Sequence, residues 1–380
     1  MTDNFNKNQK IGILGGGQLG RMLIQSGIDF NFDIHVMDPD PHAPCREVSS
    51  NFTVGGITDY EEVLKFGKSC DVITIEIENV NIDALKELES IGKKVFPQPR
   101  IIELIQDKRL QKEFYVENSI PTADFILVDG RDEILQNSQF LPAFNKLGKE
   151  GYDGRGVVRI NDTDNIQAGF DAPGLLEKLI DFKKELSVIV ARNASGQVIT
   201  YPVVELVFHP EANLVEFLFA PARIDKTVSD KAEKIAISVI EKLDMVGLLA
   251  VEMFLTKDDE ILVNEIAPRP HNSGHQTIEG SITSQFEQHL RSILDLPLGA
   301  TDLKTPSAMV NLLGENGYEG PAKYIGMEEV LAMKGTHVHL YGKKITKPFR
   351  KMGHVTIEAQ DEEKLREIAK SVKNKIKVIS

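Results

Sequence analysis

Two glutamates in otherwise apolar segments are the residues best suited to hold a metal ion. Glu252 lies within the apolar run Gly247–Thr256, and Glu265 lies within the run 260–266. The two runs predict a β-hairpin, in which a buried carboxylate is costly unless a cation neutralises it. Two hard oxygen ligands that face a triphosphate indicate Mg²⁺. The alternative is a pair of glutamates that point outward from the hairpin into solvent.

A lysine and a glycine-rich loop are suited to binding a triphosphate. Lys146 ends a predicted strand, residues 151–156 read Gly-Tyr-Asp-Gly-Arg-Gly, and Val157–Ile160 returns as a strand. A flexible glycine-rich hairpin can fold over phosphate groups, while Lys146 and the upstream Lys108 neutralise their charge. The loop is not a Walker loop, because no Gly-Lys-Ser/Thr leads into a helix. An exposed hairpin turn beside a solvated lysine is the alternative.

Two further stretches have the chemistry of a nucleotide-dependent site. Residues 177–180 form an extended segment whose backbone can hydrogen-bond to adenine, and Glu185 can accept hydrogen bonds from ribose hydroxyls; a surface turn is the alternative. Residues 267–275, Ala-Pro-Arg-Pro-His-Asn-Ser-Gly-His, are dense in donors and follow the presumed metal site. Arg269 in this stretch would stabilise a carboxylate during its phosphorylation. For His275 alone, a structural hydrogen bond is the expected role.

The opening residues 15–20, Gly-Gly-Gly-Gln-Leu-Gly, match a dinucleotide fingerprint. They follow a predicted strand and precede a predicted helix, and Asp38 stands about twenty residues further on. The physical content of the motif is broader, since glycines admit a phosphate and a helix N-terminus attracts any anion. A dinucleotide, another phosphorylated molecule and a purely structural turn all remain open from this motif alone.

The elements that position these residues begin with an α/β unit. The strand Lys10–Leu14 is followed by a helix from Leu19, a strand over 33–37, a loop over 43–70 and a buried strand over 71–77. This alternation predicts a doubly wound domain with a parallel sheet over residues 1–99.

The remaining chain predicts α+β structure, because short Gly and Asn turns between strands favour antiparallel pairing. We divide it into a middle domain over 100–297 and a small β-rich domain over 298–380. The predicted helices cover 101–118, 228–243 and 361–373, and the predicted strands cover Ala143–Leu147, Val157–Ile160, 186–191, 198–204, 214–220, 247–256, 260–266, 336–341 and 354–358.

Composition excludes several classes of protein. Lys and Arg number 44 against 57 Asp and Glu, and the net charge of -13 argues against a nucleic-acid partner. No apolar stretch approaches the ~20 residues that cross a bilayer, and the polar first ten residues do not read as a signal peptide. Two cysteines without metal-site spacing fit a reducing cytoplasm better than a structural metal.

Taken in order, these motifs resemble the ATP-grasp superfamily. Within it, the chain is similar to the 5-(carboxyamino)imidazole ribonucleotide synthases over nearly its whole length. That narrower resemblance rests on residues 15–22, the segment Glu-Ile-Glu-Asn-Val over 76–80, residues 151–156, residues 264–275 and the segment Lys-Pro-Phe-Arg-Lys-Met-Gly-His over 347–354.

The resemblance implies an ATP-grasp fold between the parallel-sheet domain and the small C-terminal domain, with a lid subdomain in the middle. It implies that ATP and Mg²⁺ convert bicarbonate to carboxyphosphate, and that the amine of aminoimidazole ribonucleotide captures the carboxyl group in purine biosynthesis. It also suggests a cytoplasmic homodimer. Ala267 stands where many superfamily members carry a metal-binding Asn, so magnesium would depend mainly on Glu252 and Glu265.

The resemblance assigns roles to individual residues. Catalytic roles fall to Arg269, Arg155, His271 and Lys347. The nucleotide would be bound by Lys108, Lys146, Gly151, Tyr152, Asp153, Gly154, Arg155, Gly156, Val157, Glu177, Lys178, Leu179, Ile180, Glu185, His209, Asn264 and Glu265. The ribonucleotide substrate would be bound by Gly17, Gln18, Leu19, Glu76, Asn79, Lys347 and Arg350, between the first and third domains. The alternative is that the cations near Arg350 lie on a surface hairpin and only increase its solubility.

Four alternatives are weighed against this prediction. A Rossmann oxidoreductase explains only residues 15–20 and Asp38, and a nucleotide sensor would not need both metal carboxylates. Within the superfamily, formate-dependent glycinamide ribonucleotide transformylase fits residues 271–275 less well. Biotin carboxylase is disfavoured by Ala267 and by the absence of a Met-Lys-Met sequence.

Overall fold

The first part of the chain forms a parallel sheet with helices on its faces. In the computed structural model, residues 9–149, 156–209 and 214–380 are described. The sheet has five strands in the order β3-β2-β1-β4-β5. Its elements are β1 Lys10–Leu14, α1 Gln18–Ile28, β2 Asp33–Asp38, β3 Asn51–Val54, α2 Tyr60–Lys68, β4 Val72–Ile75, α3 Ile82–Ser90 and β5 Lys94–Val95. The doubly wound parallel sheet is therefore confirmed.

The loop predicted over 43–70 is wrong, because the segment contains β3 and α2. Helix α2 begins at the N-cap Asp59, whose side chain accepts a hydrogen bond from the Glu62 N–H. The helix buries Val63, Leu64 and Phe66 against the sheet. Strand β3 is short, exposed and at the sheet edge, and it therefore lacks the apolar run that marks buried strands.

Two helices come next, and they are followed by a small sheet that has a third helix after its first strand. The helix predicted over 101–118 is interrupted at Asp107, which has extended backbone and accepts a hydrogen bond from the Arg109 N–H as the cap of the second helix. The small antiparallel sheet has the order β6-β9-β7-β8. The elements are α4 Pro99–Gln106, α5 Lys108–Glu117, β6 Phe125–Val128, α6 Arg131–Gln136, β7 Ala143–Leu147, β8 Val157–Ile160 and β9 Gly174–Lys178.

A nine-stranded antiparallel sheet forms the centre of the molecule. The strand predicted over 198–204 is two strands, which are separated around Pro202. The hairpin predicted to carry the two glutamates is present as β14 and β15. The elements are β10 Phe182–Arg192, β11 Val198–Thr200, β12 Val204–Phe208, β13 Val215–Ala220, α7 Lys226–Lys242, β14 Gly247–Thr256, β15 Ile261–Ala267, α8 Thr277–Gly280 and α9 Gln285–Ile293.

The last part of the chain extends this central sheet. Strand β16 pairs with β13, and the sheet continues to β21 and β19 in the order β15-β14-β10-β12-β13-β16-β21-β19, with β11 paired to β10. The elements are β16 Ser307–Leu313, β17 Gly320–Pro321, β18 Lys323–Ile325, α10 Met327–Leu331, β19 Thr336–Leu340, β20 Ile345–Thr346, β21 Lys351–Glu358, α11 Glu362–Lys375 and β22 Lys377–Ile379. The boundaries at 99/100 and 297/298 stay predictions.

Buried contacts tie the parts together. Phe286 and Leu290 of α9 belong to the core between α1 and the parallel sheet, although α9 is far along the chain. In the same contact, Thr74 Oγ1 on β4 lies 2.8 Å from Nε2 of the buried His289. The first sheet is thus held against the segment that follows the glutamate hairpin. No helix in the described ranges combines the length and apolar character needed to cross a membrane.

Candidate active site

A cavity of about 560 Å³ lies between the small sheet and the central sheet. The side chains around it include charged, aromatic and aliphatic groups. They belong to Lys108, Phe144, Lys146, Val157, Glu177, Lys178, Ile180, Phe182, Glu185, Phe208, Leu214, Val215, Glu252, Phe254, Asn264, Glu265, His271, Asn272 and Lys351. The cavity therefore brings together most of the residues predicted for ATP and metal binding.

Glu252 and Glu265 are directly paired across β14 and β15. Lys108 Nζ lies 3.0 Å from Glu265 Oε2, and its charge holds the pKa of Glu265 below the usual range. Burial, and then the negative charge of Glu265, raise the pKa of Glu252. Within the described ranges no three His, Cys, Asp or Glu side chains are grouped to hold a metal ion.

The phosphate-binding lysine predicted at 146 is linked to a buried carboxylate. Lys146 Nζ lies 2.5 Å from Glu177 Oε1 and 3.4 Å from Asn264 Oδ1. Lys112 Nζ lies 2.5 Å from the other oxygen, Glu177 Oε2. The two lysine charges lower the pKa of Glu177 against the effect of its burial. The side chain of Glu177 therefore holds two lysines, and the expected adenine contact through the backbone of this segment stays a prediction.

Two aromatic side chains in the cavity wall offer a flat apolar surface of the kind on which a nucleobase stacks. The rings of Phe182 and Phe254 are stacked with centroids 4.8 Å apart, beside Ile180. Glu185 lies on the same strand as Phe182, and burial raises its pKa to about 7. Glu185 is thus placed to accept hydroxyl hydrogen bonds next to a flat apolar surface. Leu179 is half-buried between Lys178 and Ile180 but is not part of the cavity wall.

The donor-rich segment after β15 is fixed by buried polar pairs. His271 Nδ1 lies 2.9 Å from Ser273 Oγ, which in turn lies 2.8 Å from Ser187 Oγ on β10. Asn272 and Asn311 exchange two amide hydrogen bonds of 3.0 and 2.9 Å. The imidazole Nε2 of His271 thereby faces Glu252 Oε1 at 3.8 Å.

Arg269, two residues before the cavity residue His271, contacts the segment after β4. Its Nε lies 2.9 Å from Glu78 Oε1, and its charge opposes the effect of burial on Glu76, whose pKa is raised to about 7. Lys343 acts on Glu76 in the same direction as Arg269. The site therefore extends from the paired glutamates, through Arg269, to the segment after β4. Asn79 is exposed beside this segment.

The glycine-rich turn has carboxylates on its backbone N–H groups. Gly16 donates to Asp38 Oδ2 at 2.6 Å, and Leu19 donates to Glu76 Oε1 at 3.1 Å. A Cβ atom at Gly17 would lie 2.3 Å from Glu76 Oε1, so only glycine permits this approach. The Leu19 N–H therefore serves Glu76 in this structure, and the expected phosphate contact through it stays a prediction. Gln18 is the first residue of α1, beside this pair.

Lys347 and Arg350 lie in a tight turn between β20 and β21. The Arg350 N–H donates to the Lys347 carbonyl at 3.0 Å, and Arg350 Nη1 donates to the Ile345 carbonyl at 2.7 Å. Phe349 in the turn has a positive φ of 61°. Lys351, the next residue, lies in the cavity wall. The turn is adjacent to the cavity, and Lys347 itself is exposed.

Other predicted residues lie outside the cavity wall or the described ranges. His209 follows the cavity residue Phe208, and its ring lies edge-on to Phe349 with centroids 5.7 Å apart. Gly156 begins the described part after the glycine loop, while Gly151, Tyr152, Asp153, Gly154 and Arg155 fall outside the described residues.

Sequence reasoning missed Lys112, Lys351 and the aromatic wall. Lys112 is four residues after Lys108, and residues with this spacing share one face of a helix. This spacing was the signal that could have placed Lys112 near the same site as Lys108. Phe182 and Phe254 each belong to a strand, where a single aromatic residue is indistinguishable from core packing. Lys351 was weighed only as a surface charge.

Three family models match the chain. The ATP-grasp domain matches residues 113–286, the ribonucleotide synthetase preATP-grasp domain matches 8–106, and the phosphoribosylaminoimidazole carboxylase C-terminal domain matches 307–368. The N5-carboxyaminoimidazole ribonucleotide synthase of Bacillus subtilis is 39% identical over 93% of this chain and 92% of its own length. The chain belongs to the N5-carboxyaminoimidazole ribonucleotide synthase family. It is therefore an enzyme of the ATP-grasp ligase class, which confirms that prediction.

Solved structures agree with this family. The N5-carboxyaminoimidazole ribonucleotide synthetase of Thermotoga maritima has a TM-score of 0.91 at 44% identity, with 98% of this chain and 99% of that chain covered. The synthase of Aspergillus clavatus in complex with ADP and 5-aminoimidazole ribonucleotide has a TM-score of 0.89 at 35% identity, with 97% and 98% covered. The chain spans only 63% of the phosphoribosylaminoimidazole carboxylase of Candida glabrata, to which it is 40% identical.

Proposed function

We propose that the chain uses ATP and bicarbonate to carboxylate the amine of 5-aminoimidazole ribonucleotide, with release of ADP and phosphate. One observation carries the proposal. The cavity wall combines aromatic rings, lysines and paired carboxylates, and the charge of Arg269 acts on Glu76, which contacts the glycine-rich turn. A cavity of about 560 Å³ with these groups has the size and the chemistry of a nucleotide site. The Aspergillus clavatus complex with ADP and 5-aminoimidazole ribonucleotide supports this assignment of ligands.

In the first step, a bicarbonate oxygen attacks the γ-phosphorus of ATP. A P–O bond forms, the bond to ADP breaks, and carboxyphosphate results. Lys108 and Lys146 lie in the cavity wall and would neutralise the transferred phosphoryl group. Arg269 and His271 would orient bicarbonate, because His271 is a donor beside Glu252 and Arg269, two residues earlier, is a cation beside Glu78.

Glu252 and Glu265 fit Mg²⁺, since they supply hard oxygens on directly paired positions of adjacent strands. A bound Mg²⁺ would neutralise phosphate charge and bring both carboxylates to their ionised forms. The raised pKa of Glu252 supports this, because a cation would remove the electrostatic cost of its ionisation.

In the second step, the substrate amine attacks the carboxyl carbon of carboxyphosphate. The new C–N bond forms as the C–O bond to phosphate breaks, and the departing phosphate can accept the amine proton. Glu76 would accept a hydrogen bond from the ribose or the amine, and Lys347 with Arg350 would bind the substrate phosphate. The position of their turn between β20 and the cavity residue Lys351 supports this role.

Oxygen transfer tests the proposed intermediate. If bicarbonate labelled with ¹⁸O is phosphorylated, one labelled oxygen must appear in the product phosphate, because carboxyphosphate loses its carboxyl group by C–O cleavage. The phosphate would be analysed by mass spectrometry after one turnover with aminoimidazole ribonucleotide present. Unlabelled phosphate alongside carboxylated product would contradict the proposed intermediate.

The proposal includes a homodimer in the cytoplasm. Cys45 and Cys70 are free and buried, which supports a reducing compartment. Family resemblance supports the dimer, and sedimentation equilibrium should give twice the chain mass of 42.3 kDa.

A further inference from the structure

Helix α5 carries two lysines one turn apart, and each neutralises a carboxylate on a different wall of the cavity. Lys108 pairs with Glu265 of the central sheet, and Lys112 pairs with Glu177 of the small sheet. Residues four apart on a helix lie on one face. Lys108 belongs to the cavity wall, whereas Lys112 does not.

Lys112 is buried behind Glu177. Its side chain is 5% exposed, and its Nζ also lies 2.5 Å from Thr122 Oγ1. The ring centroids of Tyr115 and Phe125 lie 5.9 and 5.7 Å from the same nitrogen. Burial lowers the pKa of Lys112, while the charge of Glu177 favours its protonated form. These contacts fix Lys112 to Glu177 and leave it no path to a ligand in the cavity.

Glu177 therefore has two lysine partners of different accessibility. Its side chain is 4% exposed, and its two oxygens lie 2.5 Å from Lys146 and 2.5 Å from Lys112. Lys146 is 15% exposed and belongs to the cavity wall. The two lysines carry one positive charge more than Glu177 neutralises. Of the two, only Lys146 lies where it can reach a partner in the cavity.

We propose that Lys112 is the permanent counter-ion of Glu177 and thereby frees Lys146 to bind nucleotide phosphate. A buried carboxylate that loses its only cation is strongly destabilised. With Lys146 as its sole partner, Glu177 would hold that lysine back from a phosphate. With Lys112 in place, Glu177 stays neutralised when Lys146 turns toward the ligand. Lys112 is thus a positioning residue, and this inference rests on the proposed placement of ATP in the cavity.

The test uses Lys112→Met, Lys112→Arg, Glu177→Gln, the double variant Lys112→Met/Glu177→Gln and Lys146→Met. Dissociation constants for ATP and for adenosine would be measured by competition with a fluorescent ATP analogue. Lys112→Met should weaken ATP at least about tenfold, the scale of a charged hydrogen bond, and leave adenosine nearly unchanged. Lys112→Arg should retain most of the ATP affinity, because it keeps the charge.

The double variant should bind ATP more tightly than Lys112→Met, because the competing carboxylate is also gone. Arg366→Gln is the matched control, since Glu205 is likewise held by two cations, Lys184 at 2.6 Å and Arg366 at 3.1 Å, outside the cavity. That control should lower thermal stability without changing the ATP affinity.

The outcomes separate this inference from the assignment of the site. Equal weakening of ATP and adenosine by Lys112→Met would overturn the inference in favour of a structural role. If Lys146→Met weakens ATP and Lys112→Met does not, the inference fails but the nucleotide site stands. If neither weakens ATP, the placement of ATP itself is wrong. Should Lys112→Met be insoluble, tighter ATP binding by Glu177→Gln than by the double variant would overturn the inference, because Lys112 should be dispensable without Glu177.

Discussion

Glu252 and Glu265 face each other across the β14–β15 ladder, and their surroundings drive their pKa values in opposite directions. Lys108 stabilises the ionised form of Glu265, while burial favours the protonated form of Glu252. We therefore expect an added cation to complete the pair, because it would stabilise both carboxylates in the ionised form.

Replacing either glutamate with Gln should abolish turnover, because loss of a metal ligand removes charge stabilisation that other groups cannot supply. The measurement is kcat at saturating magnesium and ATP. The matched control is Glu260→Gln, an exposed carboxylate at the turn of the same hairpin, which should keep its activity. Retention of more than about a tenth of the wild-type kcat in Glu252→Gln or Glu265→Gln would contradict the metal role.

Arg350→Ala should raise the Michaelis constant for aminoimidazole ribonucleotide about tenfold or more, with little change for ATP. The expected loss corresponds to a charged hydrogen bond of ~1.5–3 kcal/mol, and a guanidinium binds phosphate in a bidentate manner. Lys370→Ala, an exposed cation on α11, serves as the control. An equal rise in the Michaelis constants for both substrates would indicate an ATP role or a folding defect. No rise in either constant would show that Arg350 is a surface cation that does not bind substrate.

Glu76→Gln should flatten the dependence of thermal stability on pH. Burial raises the pKa of Glu76 from 4.5 to about 7, so between these values the folded protein holds a proton that the unfolded chain releases. Stability contributed by this group must then fall as pH rises through the window. The wild-type melting temperature should drop by a few degrees more than that of the variant from about pH 5 to about pH 8. Parallel curves would show that Glu76 titrates normally.

Asn311→Ala should slow catalysis although Asn311 lies outside the cavity wall. The substitution leaves buried Asn272 and the Val215 carbonyl without their partner, which costs about 1–3 kcal/mol and loosens the segment that carries His271. We expect kcat to fall about tenfold, because a small misplacement of a reacting group slows the chemical step. Asn193→Ala removes a buried amide elsewhere and should reduce only the melting temperature. Equal effects of both variants on kcat would refute a positioning role for Asn311.

Local patterns were enough to predict the parallel sheet and the glutamate hairpin. Strand β1 and the hairpin of β14 and β15 are apolar runs bounded by turns, and such runs depend little on distant residues. The edge strand β3 is short and mostly exposed, so its sequence lacks the pattern of apolar residues that marks a buried strand. Asp107 ends one helix and caps the next, and a helical apolar period does not reveal such a break.

The parts of the site that escaped prediction depend on contacts between distant segments. Lys112 and Glu177 are 65 positions apart in the printed sequence and meet only when α5 packs on the small sheet. The carboxylate of Glu76 at the glycine-rich turn likewise depends on the parallel pairing of β1 and β4. Neither contact has a local sequence signal. The residues around the nucleotide cavity, in contrast, could be predicted because their motifs follow one another in the order typical of the ATP-grasp superfamily.

ADP release measured with different acceptors tests the central claim most directly. Bicarbonate with aminoimidazole ribonucleotide should release one ADP for each carboxylated amine, whereas formate with the same amine should give neither product nor stimulated ADP release. Omission of the amine should stop product formation and leave only slow ADP release from breakdown of carboxyphosphate. Formate-dependent turnover, or carboxylation without matching ADP, would contradict a bicarbonate-activating carboxylase.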